Sequence, residues 1–180
     1  ALLPVLAIAL SVALFLGVDK TRKAARASFD NTISGTDLVV GAPSGQINLL
    51  LYSVFRIGNA TAEISWGAFE DLQARPDVAW AVPVSLGDSH RGYRVMGTSQ
   101  AYFEHYKYGR KQPLTFRDGQ RFEDLFDAVI GAEVARKLGY ELGTPLILTH
   151  GLGRGGLSDH DNRPFRVVGF LAPTGTPVDR

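Results

Sequence analysis

From Ala1 to Val18 the chain carries no charge, and Ala, Leu, Val, Ile and Phe fill nearly every position. At about 1.5 Å per helical residue this run covers about 27 Å, close to the hydrocarbon thickness of a bilayer. Pro4, Ser11 and Gly17 are tolerated in membrane helices. A secretory signal would place a basic segment before a shorter apolar stretch and a small-residue cleavage site after it; nothing basic precedes this run. A membrane helix is therefore expected over 1–18, with its N-terminal flank lying before Ala1. Asp19 to Ala27 is rich in helix formers and free of Gly and Pro, so the helix is expected to continue to about Ile33 and stop near Gly35, as a stalk over 19–34. Lys20, Arg22, Lys23 and Arg26 sit on this stalk, either among lipid phosphates or on a solvated face.

Beyond Thr36 the period changes. Leu38-Val39-Val40-Gly41 reads as a short buried strand ended by glycine, and similar endings recur at Val95-Met96-Gly97, Val129-Ile130-Gly131 and Val167-Val168-Gly169. Ser65 is positioned to cap a helix with Trp66, Phe69 and Leu72 on one face, ended before Pro76. Gly131 to Leu138 reads as another helix, stopped at Gly139. Strands at about Val78–Leu86, Pro145–Thr149 and Phe165–Leu171 complete the alternation. The pattern predicts an α+β, mixed-sheet domain over 35–180 with a loop-rich middle between Tyr102 and Phe126.

Charge and composition narrow the function. Nineteen Lys and Arg against 18 Asp and Glu leave a net charge of +1, which argues against a nucleic-acid binder. Without a single cysteine there is no disulfide scaffold, thiol nucleophile or Cys-ligated zinc.

The chemical motifs are weak when their mechanics are required of them. Gly151-Leu152-Gly153-Arg154-Gly155-Gly156 fits the dinucleotide spacing, but turn residues follow where a helix must begin, and a hairpin loop is the better reading. Gly92 to Ser99 imitates a phosphate loop with Thr98 where the lysine is needed. Gly87-Asp88-Ser89-His90-Arg91-Gly92 approaches a nucleophile elbow, but its second glycine comes one residue late, and neighbours in sequence do not make a triad. His150, Asp159, His160 and Asp161 could hold a divalent ion if the intervening loop closed as a hairpin. Turn chemistry explains the same residues more simply. His105, within Tyr102 to Tyr108, is expected in an aromatic packing or interaction patch rather than as a ligand. Asn59-Ala60-Thr61 is a formal glycosylation sequon that matters only in a eukaryotic secretory pathway.

The order of features resembles the periplasmic core domain of MacB-like and FtsX-like ABC-transporter permeases. The apolar helix and stalk come first, and Gly35 to Gly41 looks like the family's first strand. Pro76 to Pro83 is similar to its helix-to-strand passage, and Val95 to Phe103 to its "v-x-G-t-x-x-x-Y-F" element. Val129 to Gly139 resembles "v-i-G-x-x-v-A-x-x-L-G", a "G-x-x-l-x-l" strand follows from Gly143, and Phe165 to Leu171 matches "f-x-V-v-G-i-l". The resemblance implies four membrane helices, with this domain inserted between the first two and incomplete at Arg180, outside the bacterial cytoplasmic membrane. It also implies a permease homodimer, a separate cytoplasmic ATPase subunit or domain, and room for a periplasmic partner protein. The task would be export of a peptide, drug or lipid, extraction of a lipoprotein, or activation of a cell-wall enzyme. It implies no catalytic residue, and no cofactor-binding or metal residue, cofactor or nucleic-acid partner is assigned. The rival readings are a membrane-anchored sensor or binding module, and a metal-dependent enzyme built on the His150 loop.

Overall fold

The computed structural model describes residues 2–59, 62–150 and 164–180. In chain order the elements are α1 (Leu2–Thr32), α2 (Gln46–Ser53), α3 (Trp66–Gln73), β1 (Val84–His90), β2 (Tyr93–Thr98), α4 (Ala101–His105), β3 (Lys107–Tyr108), β4 (Gln112–Pro113), β5 (Phe116–Gly119), β6 (Asp127–Ile130), α5 (Ala132–Leu138), β7 (Pro145–Leu146), β8 (Thr149–His150) and β9 (Phe165–Leu171). A final 3₁₀ turn spans Pro177–Asp179. This is the α+β arrangement expected, behind one long apolar helix.

Helix α1 is continuous for 31 residues, and its most apolar 18-residue window is not buried by any part of the domain. It ends one residue before the expected Ile33, and Gly35 beyond it takes a positive φ of 80° that suits glycine. Helix α3 begins as its sequence dictates: the Ser65 side chain accepts from the Ala68 amide at 3.2 Å. Helix α5 ends on Gly139 in the left-handed conformation.

The main sheet is built around β9. It pairs antiparallel with β5 and β7 and parallel with β6, and α5, β7 and β8 lie between β6 and β9 in the chain. Val134 and Ala135 of α5 pack with Ile130, Leu146, Val167 and Phe170 in one core cluster. Tyr102, Leu114, Leu171 and Val178 form a second. A smaller sheet runs β2-β1-β8, and β3 pairs with β4 as a hairpin. The stretch from Tyr102 to Phe126 is loop-rich, yet it contributes β5 to the main sheet.

Several strands depart from the sequence reading. Leu38 to Gly41 forms no helix or ladder among the described residues, and Leu38 and Val40 are exposed. Apolar side chains there supply the propensity, but a strand also needs a paired edge. The strand expected at Val78–Leu86 begins only at Val84 and runs on to His90. Pro83, with no amide to donate, lies just before its start. Its far end is set by the two-residue turn at Arg91-Gly92, both at positive φ, which pairs His90 with Tyr93. The expected strand Pro145–Thr149 is divided: β7 pairs with β9 in the main sheet, and β8 pairs with β1 in the smaller one. Gly97 and Gly169 lie inside β2 and β9, so neither ends its strand.

Candidate functional site

The end of α1 is where the long helix meets the domain. A helix leaves its last four carbonyls without intrahelical partners, and here the domain supplies donors. The Gly109 amide donates to Asn31 O at 2.8 Å, and the Tyr106 hydroxyl donates to Thr32 O at 2.5 Å. Just past the helix, the Ser34 amide donates to Lys107 O, also at 2.8 Å. Thr32 is buried, and its hydroxyl donates back to Ser28 O at 2.8 Å. Tyr106 and the β3–β4 hairpin thus hold the helix terminus and the chain just past it through three bonds.

Local sequence explains the grip. Gly109 sits in the β3–β4 turn at a positive φ of 55°. A Cβ there would lie 3.3 Å from Asn31 Oδ1, so the helix end comes very near the turn. Tyr106 follows α4 directly, and its ring stacks on Tyr102 at 4.8 Å and 28°. Tyr102 belongs to the second core cluster with Leu171 of β9. Burial is the main influence on both phenols and pushes their pKa values up. They therefore stay neutral at physiological pH, and Tyr106 remains a donor.

Two arginines brace the neighbouring segment. Arg56 stands at φ 59°, donating to Pro177 O at 3.2 Å and Arg180 O at 3.1 Å. Arg94 reaches Gly58 O at 2.5 Å, and its guanidinium lies over the Tyr52 ring at 5.3 Å. These bonds fasten the chain after α2 to β2 and the final 3₁₀ turn. None of Tyr106, Gly109, Arg56 and Arg94 stood out in the sequence. Only the Gly109 turn carried a local signal, because side chain–carbonyl bonds across the fold leave no periodicity.

The residues considered for chemistry are placed otherwise. Asp88, Ser89 and His90 are consecutive on β1, so adjacent side chains leave opposite faces and cannot converge. The His90 ring is committed on both sides, Nδ1 to Ile147 O at 2.7 Å and Nε2 to the Tyr140 hydroxyl at 2.6 Å. Because a carbonyl only accepts, the Nδ1 position carries the proton. His90 thereby ties the tip of the β1–β2 hairpin to the segment after α5. Gly92 to Thr98 is hairpin and strand, and the Thr98 hydroxyl donates to Pro83 O at 2.7 Å. His105 stacks flat on Trp80 at 4.8 Å and 3°, the aromatic packing expected of it. His150 ends β8. The Gly151 to Gly156 motif and Asp159, His160 and Asp161 lie outside the described residues, as do Ala60 and Thr61 of the sequon. Among the described residues no group of three His, Asp or Glu side chains is gathered to hold a metal.

Compared with known families, residues 1–179 match the model described as the MacB-like periplasmic core domain. No curated protein and no solved structure matches the chain.

Proposed function

The chain belongs to the MacB-like periplasmic core domain family, and we propose that it works as a lever in an ABC-transporter permease. A domain of this family behind an apolar helix is an extracytoplasmic permease domain anchored to a membrane. In the proposed arrangement residues 1–18 cross the bacterial cytoplasmic membrane, 19–34 form the stalk, and the domain from 35 onward works outside it. A separate cytoplasmic ATPase would drive paired permease subunits, and α1 would carry that movement outward to cargo or a periplasmic partner.

The observation that carries this reading is the unbroken α1 from Leu2 to Thr32, with its terminus bonded to Tyr106 and Gly109 of the domain. A helix transmits displacement only if it neither bends in its middle nor slips at its end. Glycine and proline are absent between Val18 and Thr32, which removes the usual causes of a kink there. No chemistry is required of the domain.

The test is a flexible Gly-Ser segment inserted after Arg26 of the full-length permease, reconstituted with its ATPase. ATP hydrolysis should persist while coupled transport is lost. Transport unchanged by the insertion would sink the lever.

A further inference from the structure

The final turn, Pro177–Asp179, is only 3 residues long, yet separate parts of the domain converge on it. Its Val178 is buried with Tyr102 in the second core cluster. Tyr102 carries the stacked ring of Tyr106, whose hydroxyl holds the end of α1. Thr176, which caps the turn, lies within hydrogen-bonding reach of that same hydroxyl. On another side, Gly131 stands between β6 and α5 with its backbone so near that a Cβ would collide with Val178 O. Glu133 of α5 pairs with Arg180 Nε at 3.4 Å. Arg56, from the segment after α2, holds the carbonyls of Pro177 and Arg180.

The turn is also braced from within. Asp179 reaches back along the chain, its Oδ1 accepting from the Thr174 amide at 2.9 Å and the Thr174 hydroxyl at 2.8 Å. Its Oδ2 accepts from the Gly175 amide at 2.8 Å. Thr176 Oγ1 accepts from the Val178 amide at 3.3 Å and lies 2.7 Å from Thr174 Oγ1. A small loop closed on itself by such a network is displaced as a body before it bends.

We propose that the loop 174–179 is a transfer element, with Val178 as its positioning residue. It takes up displacement of α1 through Tyr106 and Tyr102 and delivers it to β6 and α5 through Gly131. The inference rests on the lever reading given above and says where the lever's motion goes. Coupling of this kind is carried by packed side chains and hydrogen-bond networks, and close-packed contacts transmit strain. At Gly131 backbone meets backbone with no room for a methyl group, so there is no slack to absorb the movement. Arg56 keeps the loop seated while it moves.

The test compares hydrogen exchange in the full-length permease with its ATPase, once without nucleotide and once trapped with ATP and orthovanadate. The Ser34 and Gly109 amides report the grip on the helix end, and the peptide spanning 174–180 reports the loop. In the wild type both regions should differ between the two states. Val178→Ala, which withdraws the turn from Tyr102, should abolish the difference at 174–180 and keep it at Ser34 and Gly109. Thr176→Val keeps the side-chain volume, loses the hydroxyl and should reduce the same difference. His90→Gln, which cuts the tie from the β1–β2 hairpin to Ile147 and Tyr140, should leave it unchanged. A merely structural role would quicken exchange in both states alike and preserve the difference. The inference is overturned if both Val178→Ala and Thr176→Val retain the full difference. It is also overturned if the wild-type loop is indifferent to nucleotide while Ser34 and Gly109 respond. If Ser34 and Gly109 are themselves indifferent, the lever reading has failed and this inference with it.

Discussion

The hydroxyl of Tyr106 donates to the backbone carbonyl of Thr32 at 2.5 Å, closing the end of α1 with a side chain 74 residues away in sequence. The same ring stacks on Tyr102, whose burial anchors it in the core shared with Leu171. A displacement of the helix terminus therefore meets packed aromatic rings before it meets solvent.

Tyr106→Phe keeps the stack and removes the donor, leaving the carbonyl of the buried Thr32 without that bond. The expected cost is about 1–3 kcal/mol, seen as a lower melting temperature of the full-length protein. If the junction transmits force, coupled transport should fall further than this loss of stability explains. Equal melting temperatures for wild type and variant would show that the bond contributes nothing.

Gly131 and Gly139 bracket α5 and should respond differently to alanine. A Cβ on Gly131 would collide with the backbone of Val178 and Asp179 in the final turn, so Gly131→Ala must push that turn off the sheet. Around Gly139 there is open space, and the burden is only its φ of 63°. Gly139→Ala should cost about 1 kcal/mol, and Gly131→Ala about 2 kcal/mol or more. Chemical denaturation of the two variants side by side gives the order, and a reversed order would refute the steric account.

Arg56→Ala removes the bonds to Pro177 O and Arg180 O while keeping a side chain at φ 59°. Arg56→Gly loses the same bonds but relieves the backbone. Alanine should therefore be the worse substitution by about 1 kcal/mol, and both should speed amide exchange in the final turn. Protection of the Asp179 amide equal to wild type would contradict the bracing role.

Asp127 ties the loop before β6 to β9. Its Oδ2 accepts from the Asp124 amide at 3.1 Å and the Glu123 amide at 3.2 Å, and its Oδ1 from Arg166 at 3.1 Å. The Asp124 amide first, helped by the Glu123 amide and Arg166, holds the carboxyl pKa below its ordinary value. A depressed folded pKa gives stability that is complete above the unfolded value of about 3.9. That stability is lost as pH falls through the lower folded value. Asp127→Asn should therefore flatten the acid limb of the stability curve below about pH 4. An acid limb of unchanged slope in the variant would exclude Asp127 as a contributor.

What the sequence determined by itself is what short-range physics decides. The apolar run and the helix formers after it set α1. Ser65 set the start of α3, Gly139 the end of α5, and the valine- and phenylalanine-bearing stretch Phe165–Leu171 set β9, each through signals within a turn or a few residues. His105 was legible as an aromatic contact because its neighbours are aromatic. Tertiary structure decided whatever needed a partner. Leu38 to Gly41 has the side chains of a strand but no edge to bond among the described residues. Pro145 to Thr149 divides because its halves find different neighbours, β9 and β1. The grip of Tyr106 and Gly109 on the helix end, and of Arg56 on the final turn, joins residues tens of positions apart by bonds to backbone carbonyls. Every residue offers the same carbonyl, so no pattern in the sequence marks which one will be met.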